Sequence, residues 1–204
     1  KIILRTNNET GSHGLYVVNN KQQIPIVLKQ LINRVNNKLV ESKDTKIMCV
    51  EYINSKVSNG YHDLYRVHII FDKILGYYVS SSRRSEFHNC NMSKDDIDRF
   101  VYINEKFQSK LELIKDQLIN AVAVLGCNLG AIEFFLINDK PYLIELNPMW
   151  GGPASRTGFG DRSMMEILNN NKSEFINKIP NIYNWLNYLD YYKTMYDYIV
   201  EYYN

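Results

Sequence analysis

Glu133, Glu145 and Asn147 stand in a stretch, AIEFFLINDKPYLIELNP, that is otherwise almost continuous hydrophobe. Charges placed among apolar strand residues are costly to bury without a partner, so they call for a reason. If Asn138-Asp139-Lys140 forms a three-residue loop, Ile137 pairs with Pro141. Counting back then sets Glu133 opposite Glu145, with Asn147 two residues along on the same face. Facing carboxylates repel by about 0.2–1 kcal/mol, and by more when partly buried, unless a cation lies between them. Magnesium takes a few carboxylate or amide oxygens and fills its other positions with water and phosphate oxygens, so the trio suits a metal–nucleotide complex. The competing reading is a half-exposed hairpin whose glutamates are solvated.

Two further segments carry chemistry. Thr10-Gly11-Ser12-His13-Gly14 is a turn rich in glycine and hydroxyls, whose backbone N–H groups can approach phosphate without Cβ obstruction, and Arg5 supplies a cation just before it. It contains no Gly-Lys-Ser/Thr and starts no helix, which excludes a Walker loop. A plain hairpin tip has the same composition. Cys49 to Ile53 is able to present backbone groups to a purine, and by itself is also an ordinary core strand. The four histidines, His13, His62, His68 and His88, have no triad or paired-ligand spacing. His68 alternates within a strand and reads as structural, while His13 sits at the turn.

Around these residues the pattern predicts strands over 1–5 and 15–18, and a helix from Pro25 to about Asn36, where Ile26, Val27, Leu31, Ile32 and Val35 recur at helical spacing. Strands follow over 46–53, 65–71 and 74–79, the last two joined by a turn at Asp72-Lys73. A long helix is expected over 100–125, ended by Gly126. Two strands, 131–137 and 142–147, lead to the glycine-rich loop Gly151 to Gly160, and the tail from Asp161 is helical in pattern. The layout is α+β.

The 204 residues, 45% of them hydrophobic, suffice for one core or two small subdomains around a cleft. With 24 Lys plus Arg against 22 Asp plus Glu, there is no general electrostatic pull toward nucleic acid or an anionic membrane. Three widely spaced cysteines suggest neither a disulfide framework nor a zinc site, so a reducing, cytoplasmic setting is expected. No apolar run approaches the roughly 20 residues that span a bilayer.

Taken in order, the segments from Lys1 to Gly152 resemble the ATP-grasp superfamily. Arg5 falls at the place of that family's phosphate-contacting Lys, with Thr10 to Gly14 as the flap. VEYI resembles its linker strand, and GAIEFFL with IELNP resembles its closing motif, Gly-x-x-Asp/Glu followed by a hairpin and Glu-x-Asn-Pro. The resemblance implies two α+β subdomains with antiparallel sheets gripping ATP, over 1–53 and 54–160, with a helical segment over 161–204 packed on the larger. It implies nucleotide contacts from Arg5, Gly11, Ser12, Gly14, Val50 and Ile53, and Mg2+, or Mn2+ in its place, at Glu133, Glu145 and Asn147. LYRVHIIFDKILGYYV and RRSEFHN are similar to segments of the ribosomal-protein glutamate ligases. That similarity makes Arg66 and Arg84, with Asn147, the expected catalytic residues, and Arg83 and Asn89 expected substrate contacts, while Arg156 is expected to contact the acceptor from the glycine-rich loop that follows the metal strand. The implied reaction is ATP-dependent joining of a small-molecule or peptide carboxylate to an amine through an acylphosphate. Other expectations compatible with the same motifs are an ATP-grasp kinase or phosphotransferase, and a non-catalytic nucleotide- or partner-binding module. A further domain upstream, a partner chain or a homo-oligomer would complete the site.

Overall fold

The computed structural model describes residues 1–7, 13–37, 44–84, 94–148, 166–168, 170–179 and 188–204. It is α+β with two antiparallel sheets, and it divides into two units, Lys1–Asn54 with Arg84–His88, and Ser55–Arg83 with Asn89–Asn204.

In the first unit β1 (Ile2–Thr6) lies between β2 (Leu15–Val18) and β3 (Ile47–Glu51). Helix α1 (Ile24–Asn36) carries Pro25 in its first turn, where the missing N–H is harmless. Val27 and Leu31, one turn apart, pack on Leu4 and Val18. Full burial of Leu31 contributes about 1.5–3 kcal/mol.

In the second unit the strands β4 (His62–Ile70), β5 (Lys73–Ser82), β6 (Leu129–Ile137) and β7 (Lys140–Asn147) run in the order β5-β4-β6-β7. One face is covered by α2 (Ile97–Val124), whose Ile103, Phe107, Leu111, Ile114, Leu118 and Val122 recur at helical spacing. They meet Tyr65, Val67, Tyr77, Val79, Ile132 and Phe134. Buried Asn104 sews helix to sheet, accepting from Val79 N at 2.8 Å and donating to Val79 O at 3.0 Å. Gly126, at φ 76°, closes α2 in the left-handed region where glycine is free of strain. The short α3 (Lys172–Lys178) places Phe175 against Phe100 and Tyr78. Helix α4 (Tyr188–Tyr203) lies on the sheet through Tyr191, which packs with Ile70 and Leu75.

Two turns differ from the sequence expectation. The β4–β5 hairpin turns at Phe71-Asp72 instead of Asp72-Lys73, with Phe71 at φ 53°. Its ring stacks on Tyr202, centroids 3.7 Å apart, and this contact offsets the cost of the left-handed backbone. The β6–β7 hairpin has a two-residue turn, Asn138-Asp139, at φ 51° and 60°, in place of the three-residue loop. Asn and Asp tolerate that region, which the turn needs to match strand twist. Ile137 therefore pairs with Lys140 and Phe134 with Leu143, one residue off the expected register. A bulge at Ile144 then restores Glu133 opposite Glu145.

Candidate functional site

Strand alternation splits β4 between two environments. Tyr65 and Val67 face α2, so Arg66 and His68 project from the other face. The register extends Arg66 into a row across the sheet: Tyr78 on β5, Arg66 on β4, Glu133 on β6 and Glu145 on β7 stand side by side. The adjacent row is Gly76, His68, Ala131 and Asn147. Asn147 is thus diagonal to Glu133, within the reach of neighbouring side chains on one face.

Arg66 and Glu133 form an ion pair, each side chain only 15% exposed. Glu133's carboxyl is nonetheless raised above its ordinary value. Burial is the largest cause and Glu145 adds to it, while the charge and hydrogen bond of Arg66 pull the other way. The row thus sets two carboxylates beside one arginine. Glu145 is exposed on the edge strand and Asn147 is half-buried. Ser80, on the same face of β5 as Tyr78, keeps a buried hydroxyl without a hydrogen-bond partner among the described residues.

Behind the row, Arg66 Nε donates to His68 Nε2 at 3.2 Å, and His68 Nδ1 lies 2.8 Å from the Tyr191 hydroxyl. Burial, with Arg66 adding to it, holds His68 well below its ordinary value, so the ring is neutral. A neutral ring that accepts at Nε2 carries its proton at Nδ1 and donates it to Tyr191.

The donor chemistry fits a hard divalent cation. Among the described residues no three His, Cys, Asp or Glu side chains gather as a metal-holding group. The set is instead two carboxylates and an amide, oxygen donors of the kind a hard divalent cation takes.

The first unit holds the other described candidates. Ile2 and Leu4 face α1, so Ile3 and Arg5 lie on the opposite face of β1. In register, Arg5 is flanked by Leu15 and Met48, and Ile3 by Val17 and Val50. Met48 and Val50 are each 37% exposed, giving an apolar strip beside a cation. Gly14 has φ 65°, and its carbonyl accepts Thr6 N at 3.2 Å at the base of the β1–β2 connection. Ile53 follows the end of β3. Gly11, Ser12, Asn89 and Arg156 lie outside the described residues, as do Thr10 and the loop Gly151 to Gly160.

Arg83, past the end of β5, sits over the Tyr61 ring at 4.4 Å, and Arg84 is exposed. Arg66 itself is bonded to both Glu133 and His68. Sequence reasoning took His68 as structural and did not connect it to Tyr191. The i, i+2 spacing of Arg66 and His68 signalled a shared face, but nothing local pointed to a partner in the C-terminal helix.

No family model matches the chain. No curated protein matches it in sequence. Among solved structures it is similar to D-alanine–D-alanine ligase from Bacillus anthracis, crystallised with ATP, at TM-score 0.46 and 10% identity, over 87% of this chain and 49% of that one. The chain spans about half the length of that ligase. Among the described residues, no helix is long and apolar enough to cross a membrane.

Proposed function

We propose that this chain is the nucleotide- and metal-binding part of an ATP-dependent carboxylate–amine ligase of the ATP-grasp type. The observation that carries the reading is the row Arg66, Glu133, Glu145 with Asn147 beside it, two carboxylates brought face to face with one arginine to offset them. Such an arrangement is unfavourable in itself and becomes favourable when it holds a cation. The ordered sequence motifs, from Arg5 and the flap through VEYI to IELNP, support the nucleotide assignment.

In this reading Glu133, Glu145 and Asn147 hold Mg2+, which when bound supplies charge neutralisation at the phosphoryl oxygens. The substrate carboxylate attacks the γ-phosphorus of ATP and ADP leaves. The amine nitrogen then attacks the acylphosphate carbon, phosphate leaves, and the amine proton passes to solvent. No side-chain nucleophile is needed. Arg66 keeps Glu133 oriented and adds positive charge beside the anionic substrate. In the first unit, Arg5 contacts phosphate, Gly11, Ser12 and Gly14 cover it, and the backbone of Val50 and Ile53 meets the adenine beside the apolar strip. Arg84, Arg83, Asn89 and Arg156 are assigned to the acceptor side.

The test has two parts. Calorimetry should detect Mg-ATP binding that is lost in Glu133→Ala. ADP release should require a carboxylate and an amine together. ADP formation that is equal without amine, or wild-type protein that ignores Mg-ATP, would overturn the reading.

A further inference from the structure

We propose that Tyr191, through the buried ring of His68, fixes the guanidinium of Arg66 and with it the carboxylate of Glu133, which makes both Tyr191 and His68 positioning residues for the site. The inference deepens the proposed function and rests on it for its functional consequence. Its geometric content stands on the hydrogen-bond chain alone.

The chain is continuous and directional. Tyr191 O accepts from His68 Nδ1, His68 Nε2 accepts from Arg66 Nε, and Arg66 Nη1 donates to Glu133. Arg66 is therefore held at two edges of its planar fork, so its remaining freedom is small. The His68 ring is itself confined. Gly76 and Ala131 flank it in the register, and the rings of Tyr78 and Tyr191 meet it edge-on at 6.2 Å and 5.8 Å, each at 80°. Rotating it would break both hydrogen bonds inside a buried site, where an unmade bond is costly.

Helix α4 is anchored independently at its far end. Lys73 pairs with Glu201, and Phe71 stacks on Tyr202 with the planes 3° apart. Met195 and Ile199 pack with Ile70 and Leu75 between these points. The phenol of Tyr191 is thus delivered by an element whose position does not depend on His68. An apolar side chain would fill the His68 position without any hydrogen-bonding demand. The polar chain instead ends on the carboxylate that faces Glu145, which ties the C-terminal helix to the row.

The test compares Tyr191→Phe, His68→Leu and His68→Gln with Met195→Leu, which touches the same cluster but not the chain. Two readouts are taken, the Mg-ATP dissociation constant and the Arg66 Nε–H signal in isotope-labelled protein. Gln retains an acceptor for Arg66, whereas Leu does not. Tyr191→Phe and His68→Leu should weaken Mg-ATP binding by about 3- to 10-fold, the span of one ordinary hydrogen bond. Both should also shift the Arg66 signal and speed its exchange with water. His68→Gln should recover most of the affinity lost in His68→Leu, and Met195→Leu should leave both readouts in place. The proposal is overturned if Tyr191→Phe leaves the Arg66 signal unmoved, or if Gln and Leu at position 68 behave alike. If the wild-type protein binds no Mg-ATP, the functional reading falls and the Arg66 signal alone decides the positioning claim. Should His68→Leu fail to fold, Tyr191→Phe, which deletes one oxygen, carries the test.

Discussion

Arg66 and Glu133 stand directly opposite one another on neighbouring strands and are joined by an ion pair largely shielded from water. Each is shielded enough that losing its partner leaves a poorly solvated charge. Arg66→Ala should therefore destabilise the protein by about 2–3 kcal/mol in urea titrations, because Glu133 is left facing Glu145 alone. Adding Glu133→Gln to that variant should recover more than half of the loss. Strictly additive effects in the double-mutant cycle would show that the pair is not coupled.

Glu145 faces Glu133 from the exposed edge strand, so their repulsion is present whenever no cation is bound. Glu145→Gln should raise metal-free stability by about 0.2–1 kcal/mol, the scale of a cross-strand pair. The same change should abolish most of the melting-temperature increase produced by Mg-ATP, since a ligand stabilises in proportion to its affinity for the folded state. A variant less stable without metal and still fully stabilised by Mg-ATP would contradict the assignment of Glu145 as a ligand.

His68 titrates far below its ordinary value of 6.5 in the folded protein. The unfolded chain therefore takes up a proton near pH 6.5 that the folded chain refuses. Stability from this group is complete above that pH and is lost as pH falls below it. Between pH 7 and pH 5.5 the wild type should lose about 1 kcal/mol more than His68→Gln, as a single linked proton requires. Denaturant titrations at the two pH values measure this, and parallel losses would refute it.

Asp139 occupies a left-handed position in the two-residue turn, at φ 60°, and also pairs with Lys110 at 2.6 Å. Both partners of that pair are well exposed, so it contributes little. Glycine removes the backbone cost. Asp139→Gly should stabilise the protein by up to about 1 kcal/mol, because relief of a left-handed non-glycine residue, roughly 1–2 kcal/mol, exceeds the roughly 0.4–1 kcal/mol that glycine's freer unfolded chain costs. A loss of stability in thermal melts would mean that the surface pair outweighs the turn.

Much of the fold was legible because it follows local periodicity. Phe107, Leu111, Ile114, Leu118 and Val122 recur at helical intervals, and that spacing alone defined α2 and its buried stripe. The alternation in YRVHIIF likewise sets Arg66 and His68 on one face of the strand. The facing of Glu133 and Glu145 was anticipated by a different route from the one the chain takes. A three-residue loop with regular pairing and a two-residue turn with a bulge both bring those two residues together. One extra residue in the turn and one in the strand are equivalent for register, so residue counting is unable to distinguish them.

By itself, then, the sequence determined which elements form, which side chains share a face, and that two carboxylates and an amide occur where a hard cation would relieve them. Those features depend on backbone geometry over a few residues. Only the tertiary structure decided that Arg66 is tied to Glu133, 67 positions away, and that His68 is held by Tyr191, 123 positions away. Such partners are chosen by sheet order and by where α4 docks, and both depend on packing between distant segments that no local pattern encodes.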